Sequence, residues 1–229
     1  MTRYVLANWK AHKTLAEAET WLDEFFQLYR PHSQVEVIIA PPALYFVPLR
    51  QKIAEYKTTK VALAAQDLSP FPLGAYTGAL AAEMVRDYVQ FAILGHAERR
   101  RYFHETDQEI ANKVCEAKAV NIKPIVCVDQ PYARSQMAAL QEEDIDGLFI
   151  AYSPVEAIGI NIPQSPSATK QAIKEIQLVF PGKPILYGGS INKDNAGDYL
   201  NINGVAGLMV GMASLDPKEF SLICEVVSR

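Results

Sequence analysis

The amino-acid sequence predicts a closed, eight-stranded parallel (β/α)8 barrel, and three observations lead there. Eight short apolar runs recur along the 229 residues, amphipathic segments lie between them, and no Pro/Gly/Ser-rich linker or low-complexity tract divides the chain. Strands that are each followed by a helix describe a parallel sheet covered by helices. Alternation alone also describes an open doubly wound sheet, but eight strand–helix repeats fit the closed form better. Residues 1–229 therefore read as a single barrel domain, a length at which α/β barrels commonly form one unit.

The strand candidates are Tyr4–Ala7, Val35–Ala40, Val61–Ala65, Phe91–Leu94, Pro124–Val128, Leu148–Ala151, Pro184–Tyr187 and Leu208–Val210. They are rich in Val, Ile and Leu and do not alternate with polar residues, as strands covered on both faces should read. After the first, Leu15, Ala18, Leu22, Phe25 and Tyr29 recur at steps of three and four and place one apolar stripe on a helix. Pro48 sits near the start of its segment, where proline is tolerated. Glu105-Thr106 opens another helix, in which Ile110, Val114 and Ala117 share a face. Ser167 to Val179 repeats the pattern with Ala168, Ala172, Ile176 and Val179, and Gly182, after Phe180-Pro181, is its stop.

Composition narrows the function classes. Lys and Arg number 22 against 26 Asp and Glu, for a net charge of −4, and no block of like charge reaches five residues, which disfavours a nucleic-acid partner. No segment approaches the ~18 consecutive apolar residues of a membrane span, and the apolar stretch in MTRYVLANWKAHK is too short for a signal-peptide core. Cys115, Cys127 and Cys224 show no close pairing and read as buried thiols rather than disulfides or zinc ligands. A cytoplasmic protein is expected.

In such a barrel, functional residues lie just after the strands, at the C-terminal rim. Asn8-Trp9-Lys10 follows the first strand. A lysine there is ordinarily solvated, but on a barrel rim a fixed ammonium attracts a phosphate or enolate oxygen. Gly95-His96-Ala97-Glu98-Arg99-Arg100 follows the fourth. A helix N-terminus pointing at His96 would disfavour the imidazolium and keep the ring neutral. Glu98, Arg99 and Glu105 are candidates for ion pairs that brace this turn. Gly188-Gly189-Ser190 and Val210-Gly211-Met212-Ala213-Ser214 follow the last two strands, and their backbone N–H groups suit a phosphate, at the place barrels commonly hold one.

With these segments side by side, the sequence resembles the triosephosphate isomerase family along nearly its whole length. Asn8-Trp9-Lys10, Gly74-Ala75-Tyr76-Thr77-Gly78, Ile93-Leu94-Gly95-His96-Ala97-Glu98-Arg99-Arg100, Tyr187-Gly188-Gly189-Ser190 and Val210-Gly211-Met212-Ala213-Ser214-Leu215 match that family's motifs in order and spacing. The resemblance implies a TIM barrel that interconverts dihydroxyacetone phosphate and glyceraldehyde 3-phosphate through an enediolate, with no metal or organic cofactor. It implies that Lys10 stabilises negative charge and that His96 is a neutral electrophile, a familiar instance of pKa tuning in this family. Asn8 and Glu98 would support the site, and the phosphate would rest on backbone N–H groups of Gly159, Ser190, Gly211 and Met212. Thr77 lies in the loop by which family members lock into a second subunit, which implies a homodimer, with Ser69 to Leu73 as a further contact surface.

The chain departs from the family after its sixth strand. It reads Ala151-Tyr152-Ser153-Pro154-Val155-Glu156-Ala157-Ile158-Gly159, with Ser153 where the family carries its catalytic glutamate. A hydroxyl does not take a proton from carbon near neutral pH unless another base activates it. Glu156 is the alternative base. Three extended residues span at most about 10 Å, so it would reach the site only on another loop path; its ordinary reading is a hinge carboxylate bonded to neighbouring loops. Ile160-Asn161-Ile162-Pro163 lacks the second glycine usual in the lid, Ala97 replaces a serine, Met212 a glycine, Asp129-Gln130 follows the fifth strand, and Pro131–Asp146 is shorter than usual. Two other functions stay open: an isomerase or epimerase of another small sugar phosphate using Glu156, and a catalytically inactive barrel retained for binding.

Overall fold

A computed structural model of the chain describes residues 2–56, 61–154 and 162–229. In order these form β1 (Arg3–Asn8), α1 (Leu15–Leu28), β2 (Val35–Ala40), α2 (Phe46–Glu55), β3 (Val61–Ala65), α3 (Ala82–Val85), β4 (Phe91–Leu94), α4 (Ala97–Tyr102), α5 (Asp107–Ala119), β5 (Lys123–Val128), α6 (Gln130–Ala139), β6 (Phe149–Tyr152), α7 (Pro166–Val179), β7 (Ile185–Tyr187), α8 (Ala196–Leu200), β8 (Val205–Val210) and α9 (Pro217–Ser228). Every strand runs parallel to its neighbours. β8 returns to β1, with Tyr4 opposite Gly207 and Ala7 opposite Val210, so the sheet closes as a TIM barrel and has no exposed edge.

The pleat sorts each strand into an inner and an outer set. Leu6, Ile38, Ala62, Ala64, Phe91, Ile93, Ile125, Cys127, Phe149, Ala151, Leu186 and Met209 fill the barrel interior. The alternate residues, such as Val5, Ala7, Val37, Ile39, Leu63 and Val126, pack outward against the helices. Small alanines inside leave room for Phe91 and Phe149, whose rings meet edge to face at 5.7 Å. Following the inner parity past each strand end brings Asn8, Gln66, Asp129, Ser153, Gly188 and Gly211 to the C-terminal mouth. Period two thus selects which residues surround the site.

The helices attach as their caps and stripes dictate. Thr14 and Thr106 form capping boxes with Glu17 and Glu109, satisfying backbone donors at the start of α1 and α5. Ile110, Val114 and Ala117 are fully buried on α5. On α1 the stripe is Ala18, Trp21, Leu22 and Phe25, while the expected Leu15, the first residue of the helix, is exposed. On α7 the buried face is Thr169, Ala172, Ile173 and Ile176, one residue further on than the expected Ala168, which is exposed. Thr169 is placed inward by its hydroxyl, which donates to Gln164 Oε1 at 3.0 Å. Cys115 also differs from expectation: it is exposed while Cys127 and Cys224 are buried, since it sits about 100° around the helix from Val114. Among the described residues no helix is long and apolar enough to cross a membrane.

Candidate active site

Lys10 leaves β1 in the left-handed region, at φ 52°. That conformation is uncommon for a residue with a side chain, and its neighbours hold it. Asn8 Oδ1 accepts from Lys10 N at 3.1 Å, and Gln66 Nε2 donates to Lys10 O and to Ala40 O, both at 2.8 Å. So fixed, the Lys10 side chain reaches Glu98 on α4, with Nζ 2.6 Å from Oε1. Its stem passes Gly211, where a Cβ would lie 3.9 Å from Lys10 Cε. Lysine and the turn after β8 therefore share one corner of the mouth.

His96 reaches the site by a break in the strand pattern. Gly95 takes φ +68°, and a Cβ there would come within 2.6 Å of Ile110 Cδ1. This turn ends β4 and makes His96 the N-cap of α4. Its Nδ1 accepts from the backbone N–H of Glu98 at 3.2 Å, so the ring proton is assigned to Nε2, leaving that N–H as a donor. Burial pushes the imidazole pKa down to about 4, Lys10 and Arg99 add to the fall, and Glu98 opposes it. Glu98 Oε2 lies 3.5 Å from Nδ1, a contact that an unprotonated nitrogen cannot turn into a salt bridge. The ring is neutral near pH 7.

The remaining expected residues fall as follows. Ser190 has φ 46° and its carbonyl accepts from Asn195 Nδ2 at 3.0 Å. Gly211 precedes a short 3-10 turn at Met212–Leu215, pinned by Ser214, whose N and Oγ both bond Gly211 O. Ser153 is buried at the end of β6, and its Oγ has no hydrogen-bond partner among the described residues. A Cβ on Gly188 would come within 2.7 Å of that oxygen, so only glycine fits beside it. Thr77 is exposed on the β3–α3 loop. Ser69, expected at that loop's surface, is buried, with Oγ accepting from Phe71 N. Glu156 and Gly159 lie outside the described residues.

Motif reading reaches only some of the groups that brace the site. Arg99 pairs with Glu105 as expected, but Glu98 turns to Lys10 instead. Asp67 and Lys113 complete the cluster: Lys113 bonds Asp67 at 2.7 Å and also Glu105, and Arg99 reaches Asp67 at 2.9 Å. Burial pushes the Asp67 carboxyl up even though Lys113 and Arg99 pull it down. Arg100 binds Asp107 at 2.6 Å, Gly95 O at 2.9 Å and Gln136 at 2.7 Å, clamping the turn that carries His96. Gln164 accepts from Tyr152 and Thr169 and its carbonyl from Tyr199, anchoring the segment that leads into α7. Arg99, Arg100 and Glu105 are legible in or beside the His96 motif; Asp67, Lys113 and Gln164 are not.

Fold and mouth together define a class: a (β/α)8 barrel whose rim pairs a lysine with a neutral histidine and sets glycine-containing turns after its last two strands. The chain belongs to the triosephosphate isomerase family, whose profile, described as triosephosphate isomerase, matches residues 3–227. It is 34% identical to the triosephosphate isomerase of Caldanaerobacter subterraneus subsp. tengcongensis, over 97% of this chain and 99% of that one. It is equally similar, at 34%, to those of Symbiobacterium thermophilum, over 100% and 98%, and Thermus thermophilus, over 97% of each. The first alignment runs over 249 positions, more than the 229 residues here, so that relative carries segments this chain lacks.

Proposed function

We propose that the chain binds triose phosphates at the Lys10–His96 mouth and interconverts dihydroxyacetone phosphate and glyceraldehyde 3-phosphate through an enediolate, slowly, because residue 153 supplies no base. The observation that carries this reading is the neutral imidazole, held by the Glu98 N–H beside the Lys10–Glu98 pair. A neutral Nε2–H donates to the substrate carbonyl without giving up its proton prematurely. The Lys10 ammonium offsets the charge that develops on the enediolate oxygen. N–H groups at Ser190, Gly211 and Met212 hold the phosphate, and His96 relays the hydroxyl proton from one oxygen to the other. The proton on carbon needs a base, and a positioned base is worth roughly 10²–10⁴-fold.

The test is turnover of glyceraldehyde 3-phosphate by the chain and by its Ser153→Glu variant, with thermal protection by the same ligand measured alongside. Protection of both and a much faster variant is the expected result. Failure of the triose phosphate to raise the melting temperature of either would overturn the reading, because a ligand of the native state must stabilise it.

The same reading supports a homodimer. Phe71, Leu73 and Tyr76 on the Thr77 loop are exposed, as are Tyr102 and Phe103 at the end of α4. Phe71 stacks on Tyr76 at 4.5 Å, so the loop presents a stiff apolar face. A cavity of about 580 Å3 runs from the base of this loop to Arg99 and Phe103, and we assign it to the loop of a second copy. The free thiols support a cytoplasmic address.

A further inference from the structure

A second cavity, of about 370 Å3, lies beside the mouth among the ends of β4, β5 and β6. Gly95, Ala97, Cys127 and Val128 give it apolar lining, Arg101 and Tyr132 also line it, and Ser153 stands on its wall. Two features mark it as a ligand site. Ser153 is only 3% exposed and its Oγ has no partner among the described residues, whereas a buried hydroxyl ordinarily finds one. Arg101, exposed at the cavity's edge, has no ion pair among the described residues and lies over the Tyr102 ring, 5.3 Å from its centroid, so its guanidinium is open to a ligand from the cavity side. Of the other charges on the lining, two are ion-paired and the third caps a helix. Arg100 is bound to Asp107 at 2.6 Å and Glu98 to Lys10 at 2.6 Å, while Asp129 accepts from Gln130 N at 2.7 Å to cap α6. A small anion entering here meets the Arg101 guanidinium, the Ser153 hydroxyl and apolar walls, with the capping Asp129 carboxylate also on the lining.

We propose that this cavity binds a small aliphatic monocarboxylate, and that the bound carboxylate, hydrogen-bonded by Ser153, is the base that residue 153 does not itself provide. This rests on the function proposed above. The cavity has roughly twelve times the ~30 Å3 share of one water, ample for an acid of two or three carbons. A carboxylate oxygen takes the proton from the carbon beside the carbonyl. The C–H electron pair becomes the enediolate double bond, and the carbonyl pair moves onto the oxygen facing His96. The carboxylic acid then returns its proton to the neighbouring carbon and is regenerated as carboxylate, so nothing is consumed.

The experiment follows isomerisation of glyceraldehyde 3-phosphate by the full chain at fixed pH and ionic strength. Formate, acetate and propionate are titrated in, with chloride and bulky pivalate as controls, and thermal protection by glyceraldehyde 3-phosphate is measured on the same samples. The expected result is a saturable acceleration of about 10- to 100-fold by acetate or propionate, below the full worth of a tethered base. Arg101→Gln should need more carboxylate for half the effect, and Ser153→Glu should show no carboxylate dependence. Acceleration that rises linearly without saturation, or equally with pivalate, would be solution catalysis and would overturn the cavity site. No acceleration while the triose phosphate still protects overturns this proposal and leaves the proposed function standing. Loss of both protection and turnover overturns both.

Discussion

His96 and Ser153 show how a single residue's surroundings set its chemistry. Burial is the main reason the imidazole stays neutral, with Lys10 and Arg99 assisting. Its folded pKa of about 4 lies below the unfolded value near 6.5, so between these pH values the unfolded chain binds more protons. Stability from this group is complete above about pH 6.5 and is lost as pH falls toward 4, a loss on the order of 3 kcal/mol. Urea midpoints at several pH values should therefore drop more steeply for the chain than for His96→Gln, and parallel curves would show that His96 is not the group responsible. At Ser153 the expectation concerns rate. Ser153→Glu should raise turnover of glyceraldehyde 3-phosphate by about 10²–10⁴-fold, measured with the KM for the triose phosphate beside it.

At the level of elements, the β4–α4 turn is the part that positions His96. Gly95 at φ +68° ends the strand, and Arg100 ties the turn back to Asp107 and Gln136. Gly95→Ala combines a left-handed backbone with a 2.6 Å approach to Ile110. It should cost about 2–5 kcal/mol, the sum of a strained backbone and an overpacked core. Thr106→Ala, which removes only the capping box of the exposed α5 start, should cost about 1 kcal/mol. Chemical denaturation of the two variants checks this order, and a larger loss for Thr106→Ala would mean that the turn relaxes around a Cβ.

Closure of the barrel is a property of the whole molecule, because β8 must return to β1 before the inner layer is sealed. Phe149 lies in that layer against Tyr4 and Phe91. Phe149→Ala should cost about 3–5 kcal/mol, seen as a shifted denaturant midpoint. Oligomeric state belongs to the same scale. Phe71→Asp places a charge on the exposed loop face and should convert the proposed dimer to a monomer in sedimentation at micromolar concentration. A parent chain that already sediments as a monomer would refute the assigned interface.

The run-and-stripe pattern by itself favoured the barrel over an open sheet: eight strand–helix repeats and most of the buried faces of α1 and α5 follow from local periodicity, with ends shifted by up to three residues, as at the start of β8, while the closure of the sheet does not. It also brought Lys10, His96 and Glu98 forward, because strand ends in a barrel share one rim. Only the tertiary structure decided the partners. Glu98 pairs with Lys10 across 88 residues, Lys113 and Asp67 join Arg99 and Glu105 from separate elements, and the cavity at Ser153 is assembled from three strand ends. Periodicity records which way a side chain points relative to its own strand or helix. Which charge it meets depends on distances between elements, and those are set only when the ring of strands closes.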